Sequence, residues 1–132
     1  MRIAISSAPN GRTAVRERQK RDRALAPVMR TKYPTLATLQ LDFDFVDTGT
    51  FLPSRQVTVF HPPARAYFRF ACPYSDCDGE FDLTSAVVLM IGARESRSHG
   101  QRGCAGMRHG AIRCTLNLEY SVVAEWRPMQ TT

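Results

Sequence analysis

Apolar and polar residues alternate with period two in two stretches of this chain. Leu39, Leu41, Phe43 and Phe45 are interleaved with Gln40, Asp42 and Asp44. Such alternation predicts a strand with one buried face. Ile112, Cys114, Leu116, Leu118, Tyr120 and Val122 alternate with Arg113, Thr115, Asn117, Glu119 and Ser121 in the same way. Residues 56–60 and 66–71 read as two shorter strands, kept apart by Pro62-Pro63 because proline cannot donate to a ladder. The second of these runs directly into Cys72. Thr48-Gly49-Thr50 and Leu52-Pro53-Ser54 mark turns.

Elsewhere the pattern is not period two. Residues 12–26 lack Gly and Pro and are rich in Arg, Ala, Gln and Lys, all good helix formers. Glu17 and Arg21 stand i,i+4 in the favourable order. No apolar residue lies between Arg16 and Arg23, so this helix has no face to bury there and is expected to project from the body or to be disordered alone. Pro27 ends it, and Tyr33-Pro34 reads as a hinge into the body. The apolar run at residues 86–91 fits either a short helix or a buried strand. Helix over residues 85–93 is the preferred reading, with Asp82, Leu83 and Thr84 at its start. Residues 94–103 read as a polar loop.

The 132 residues suit one domain with an appendage. The expected division is a basic helical arm and linker at residues 1–34 and a β-rich body at residues 35–132. The body is expected to be α+β, mostly β, built on a small antiparallel sheet. Residues 1–32 hold nine Lys/Arg and two acids, a balance of +7, while residues 33–132 hold nine Lys/Arg and ten acids, a balance of −1. The basicity therefore belongs to the arm. The longest apolar run is far shorter than a membrane span. The N-terminus lacks the apolar stretch of a secretory signal, and Glu17 and Asp22 count against an organellar transit peptide. The expected location is a reducing cytoplasm, where paired cysteines bind metal more often than they form disulfides.

The candidate chemistry lies in the four cysteines, Cys72, Cys77, Cys104 and Cys114. Two pairs brought together by folding can make one tetrahedral thiolate site for zinc. Cys72 and Cys77 are separated by four residues and followed by Gly79. Nine residues separate Cys104 from Cys114, and Gly103, Gly106 and Gly110 let that loop wrap closely. His109 stands in the same loop with the spacing from Cys104 that Cys77 has from Cys72. It competes with Cys114 for the fourth ligand position, which would leave Cys114 a small core residue. Disulfides in an exported protein and free thiols are the other readings.

Residues 66–123 resemble the zinc-ribbon group: a strand, a Cys-Pro-containing knuckle, an intervening segment, a second knuckle and a further strand. The resemblance implies a structural zinc carried by Cys72, Cys77, Cys104 and Cys114 on a small antiparallel sheet. Neither pair has the Cys-x-x-Cys spacing of typical ribbons.

Other chemistry is thin. Asp76, Asp78, Glu80 and Asp82 alternate in the manner of a calcium loop, but the glycine is misplaced and Val87 stands where a bidentate Glu is required. A catalytic zinc would need an open position and a base such as Glu80 or Glu95. No metalloprotease, deaminase, hydrolase or phosphate-loop motif is present, so no catalytic residue is assigned. His61 and His99 read as surface residues. Arg12, Arg16, Lys20 and Arg23 recur at helical spacing as one basic stripe. The stripe suits nucleic-acid phosphate, or an acidic protein surface, or solvent alone. The stripe has no interleaved aromatics, so stacking on bases would have to come from the body, where Tyr67, Phe68 and Phe70 are candidates and alternation assigns the two phenylalanines to the core. The first expectation is a zinc-binding module that contacts nucleic acid. A structural or interaction subunit is the second, and a zinc enzyme the third.

Overall fold

The computed structural model describes residues 11–53 and 55–128, so residues 1–10 and 129–132 of the expected arm and body, and Ser54 in the expected turn, lie outside the described residues. The fold is α+β, mostly strand, as expected. Strand β1 (Leu36–Asp47) is central. Along one side it pairs antiparallel with β9 (Leu116–Trp126) over its whole length, from Leu36 opposite Trp126 to Asp47 opposite Leu116. Its other side is shared by β2 (Thr50–Phe51) and β3 (Gln56–Phe60). The β1–β2 hairpin turns on Thr48 and Gly49, at φ 49° and 85°. A two-residue turn needs this left-handed geometry to match the strand twist.

Beyond β9 lies β6 (Arg97–Gly103), antiparallel to it. The polar loop expected at residues 94–103 is therefore an edge strand from Arg97 onward. It shows no apolar alternation because its neighbour covers it. A Cβ on Gly100 would lie 2.6 Å from the Tyr120 hydroxyl, and the Arg102 guanidinium lies over the Tyr120 ring.

The sheet buries one face. Leu39, Leu41, Phe43 and Phe45 of β1 and Leu116, Leu118, Tyr120, Val122 and Ala124 of β9 are all buried. Over this face lies the hairpin of β4 (Arg69–Ala71) and β5 (Glu80–Asp82). Phe70 meets Phe43 edge-on at 4.7 Å, Phe81 meets Phe45, and Phe68 meets Phe60. Helix α3 (Thr84–Gly92) adds Ala86, Val87 and Met90 to the same core. The preferred helical reading of that apolar run is the observed one. Asp82 starts it by accepting the Thr84 amide at 2.9 Å.

Two expected strands are shorter than the alternation implies. Residues 66–68 stand outside β4, because the Ala66 amide donates to Pro27 and Arg65 bridges Val28. That contact seats the single-turn helix α2 (Met29–Lys32), whose Met29 is buried. The strand expected at 112–122 breaks at Cys114-Thr115. A small hairpin of β7 (Met107–Arg108) and β8 (Ile112–Arg113) precedes the break, and Ile112 is exposed there.

Helix α1 (Gly11–Leu25) covers most of the helix expected at residues 12–26. It does not project. Gln19 is only 4% exposed, and its amide and the Arg18 guanidinium converge on one oxygen of Glu80 at 3.0 and 2.5 Å. The helix is docked by polar contacts, which the absence of apolar residues did not reveal.

Candidate metal centre and basic groove

The two cysteine-bearing loops are built alike. In the first, which links β4 to β5, the Gly79 amide donates to Cys77 Sγ at 3.3 Å and the Cys72 amide donates to the Gly79 carbonyl at 3.0 Å. In the second, which follows β6, the Gly106 amide donates to Cys104 Sγ at 3.4 Å and the Cys114 amide donates to the Gly106 carbonyl at 3.0 Å. Each loop is thus a Cys-x-Gly turn closed by a second cysteine. The loops face each other through their glycines. A Cβ on Gly79 would lie 2.3 Å from Cys104 Sγ, and one on Gly106 would lie 2.3 Å from the Gly79 nitrogen. Only glycine allows this approach.

The result is four buried thiols whose sulfurs all lie within 4.8 Å of one another. Cys72 and Cys114 sulfurs are 4.0 Å apart, and those of Cys77 and Cys104 are 3.6 Å apart. None is in a disulfide. Metal–sulfur bonds of about 2.3 Å in a tetrahedron place the sulfurs roughly 3.8 Å apart, so the residues present fit a four-thiolate metal ion. The Gly79 and Gly106 amides are already aimed at two of the sulfurs, where they offset thiolate charge.

The unequal spacing of the pairs has a simple cause. The β7–β8 hairpin takes up the extra length between Cys104 and Cys114. Its turn carries His109 and Gly110 at φ 52° and 72°, which points His109 outward. The imidazole is 70% exposed and sits 2.7 Å from Asp76. The structure brings the four cysteines together and leaves His109 outside them, fastened to the outer side of the first loop. The His109 amide also donates to the Asp76 carbonyl, and Arg108 donates to both oxygens of the Asp76 carboxylate.

Thiol acidity shows what a metal ion would replace. Hydrogen bonding to Cys104, then burial, pushes the Cys72 thiol up. Burial pushes Cys114 up to about 11. Cys104 accepts hydrogen bonds, first from Cys72, and is brought down to about 5. A buried cluster of this kind keeps protons on some sulfurs unless a cation takes their place.

A carboxylate ties both loops to the sheet. Asp47, at the end of β1, accepts the Tyr74 hydroxyl and the Thr115 hydroxyl, each at 2.5 Å. Tyr74 lies within the first loop and Thr115 follows Cys114. Nothing in the spacing of these three residues singles them out.

The basic stripe is divided by the way α1 docks. Arg12 turns toward the cysteine loops and lines a cleft with Asp76, Asp78, Met107 and His109. Arg16, Lys20 and Arg23 stay exposed along a groove between α1 and β4. Arg69 and Gln56 stand across it, with Phe70, Ala71 and Pro73 also lining it, and its volume is ≈ 530 Å³. Arg23 lies 5.3 Å from the Tyr67 ring centroid. Arg69 is partly neutralised by Asp82 at 3.2 Å and Glu80 at 3.9 Å. Phe68 is buried as alternation implies, but Phe70 is only half-buried and reaches the groove.

Comparison with protein-family models, curated proteins and solved structures finds no match. Among the described residues, no helix is long and apolar enough to cross a membrane.

Proposed function

We propose that this chain is a zinc-clasped module that binds nucleic acid through its basic helix, in a reducing compartment such as the cytoplasm. The observation that carries the reading is the exposed row of Arg16, Lys20 and Arg23 beside the groove, in which neither Arg16 nor Lys20 is ion-paired with an acid among the described residues. Cations held in a row without acidic partners suit a phosphate backbone, since each contact releases counterions. Zinc suits the four-thiolate donor set. Four buried protein ligands fill a tetrahedron and leave no position for water, so its role is to clasp the two loops.

Elemental analysis with a thiol count tests the metal. About one zinc per chain is expected for one such site, and four freely titrating thiols without zinc would refute it. Binding to a short DNA or RNA, followed against salt, tests the rest. Affinity should fall steeply with salt, and Arg16→Gln, Lys20→Gln and Arg23→Gln together should abolish it. Substitution is preferable to removing residues 1–32, because that deletion takes Met29 out of the core. Binding that survives the triple substitution would refute a role for the helix. Binding to an acidic protein but to no nucleic acid would favour an interaction subunit.

A further inference from the structure

We infer that the groove between α1 and β4 takes single-stranded rather than duplex nucleic acid, with phosphates on Arg16, Lys20, Arg23 and Arg69 and a base against Phe70. This rests on the nucleic-acid reading above and narrows it to a ligand class. The cations do not form a convex ridge. Arg16, Lys20 and Arg23 line one wall and Arg69 the other, with Gln56 beside it. A helix that enters a duplex groove needs its reading face free on the outside of the protein. On α1 the stripe borders the face that carries buried Gln19, and Arg18 and Gln19 hold that face to Glu80. The row is therefore turned toward the groove beside β4 rather than away from the body as a duplex-reading face would be.

A single strand meets both requirements of the groove. Its backbone can follow the basic walls, and its unpaired bases can turn onto an apolar lining. Phe70, Ala71 and Pro73 supply that lining. Phe70 is braced edge-on by buried Phe43 at 4.7 Å, so its ring is held in place before a base arrives. Of the three aromatics near the arm, Phe68 is buried and the Tyr67 ring already carries Arg23, which leaves Phe70 for stacking. Glu17 also lines the groove and Arg69 is shared with Asp82 and Glu80, so Arg16, Lys20 and Arg23 carry most of the charge that faces a polyanion.

The test uses the intact, zinc-loaded chain with a labelled short oligothymidylate, a duplex of equal length and polyglutamate. The single strand should bind at least about tenfold more tightly than the duplex, as expected where stacking adds to charge. The plot of log affinity against log salt should have a slope near −2 to −3, from about 0.7 per phosphate over three or four contacts. Phe70→Leu keeps an apolar side chain against Phe43 and should cost the single strand about tenfold while leaving duplex binding unchanged. Equal or tighter duplex binding would overturn the single-strand assignment while leaving the nucleic-acid reading intact. Full affinity in Phe70→Leu would overturn the stacking role. Polyglutamate binding as tight as the oligonucleotide, or no binding of either nucleic acid at low salt, would overturn both readings.

Discussion

Replacing Gly79 with alanine tests whether the approach of the two loops sets metal affinity. The added Cβ would lie 2.3 Å from Cys104 Sγ and 2.9 Å from the Gly106 nitrogen, whereas ordinary contacts begin at 3.4 Å. The loops must therefore separate by roughly 1 Å, several times the tolerance of about 0.2 Å on a metal–ligand distance. Overpacking of this kind costs about 1–3 kcal/mol. If that cost falls on the metal-bound state, zinc affinity drops by about 5- to 150-fold, at 1.4 kcal/mol per tenfold. Competition against a chromogenic zinc chelator would measure it. Gly103→Ala is the control, since a Cβ there meets nothing within 4 Å although it adjoins Cys104. Gly106→Ala should be at least as severe, because it meets the Gly79 backbone at 2.3 and 2.4 Å and backbone yields less readily than a side chain. Wild-type zinc affinity in Gly79→Ala, with an unchanged melting temperature of the loaded protein, would refute the reasoning.

Zinc loading at neutral pH should release protons from both Cys72 and Cys114, whose raised thiols are still protonated there; affinity therefore rises with pH and falls as pH is lowered, and uptake without acidification of a weakly buffered solution would refute this. Glu80→Gln should loosen α1, since it removes the charge that holds Arg18 and partial exposure limits the pair to about 1 kcal/mol; faster tryptic cleavage within residues 12–23 at an unchanged melting temperature of the body is expected, and unchanged cleavage would show that Glu80 is not the anchor. Asp47→Asn should lower stability at neutral pH by about 1 kcal/mol, because an amide cannot accept both hydroxyls as the carboxylate does. Hydrogen bonds from Thr115 and then Tyr74 hold the Asp47 carboxyl below its usual range, so its contribution is present above the unfolded value near 3.9 and lost as pH falls through the folded value. The difference between variant and wild type in urea melts should shrink in acid, and a constant difference would refute the assignment.

What could be read from the sequence follows the physics of burial. Strands β1 and β9 are legible because each has one face in the core and one in water, which writes period two into residues 39–45 and 116–122. Strand β6 is not legible. It sits at an edge, and Tyr120 crosses over Gly100, so no apolar residue is needed at its inner positions. The cysteines were legible as a candidate metal-binding set by type, but the geometry that brings them together lay in the glycines. The shared Cys-x-Gly of Cys77-Asp78-Gly79 and Cys104-Ala105-Gly106 is a sequence signal for the matching turns, while counting residues between cysteines gives unequal loops. No local signal announces Arg69 as a groove residue, and Phe70, a stacking candidate that alternation assigned to the core, reaches the groove only because the docking of α1 creates it.

That docking has a consequence for how the metal and the arm are related. A helix with a hydrophobic stripe is held by the core and keeps its place as long as the core does. Helix α1 buries a glutamine and is anchored by Glu80. Glu80 directly follows Gly79, whose carbonyl and amide close the first cysteine loop. Arg12 borders the same loop at Asp76 and Asp78. One anchor of the basic helix is therefore set beside the backbone that the cysteines organise, while its other end is held by Arg65, which donates to the Ala26 carbonyl at 2.7 Å, and by the Arg23–Tyr67 contact. Without a cation the Cys72 thiol is pushed up and the Cys104 thiol brought down within one buried space, whereas a metal ion would hold all four sulfurs at once. A metal-loaded site is thus expected to steady Arg16 and Lys20 opposite Arg69 through Glu80, and equal tryptic cleavage within residues 12–23 with and without metal would refute that coupling.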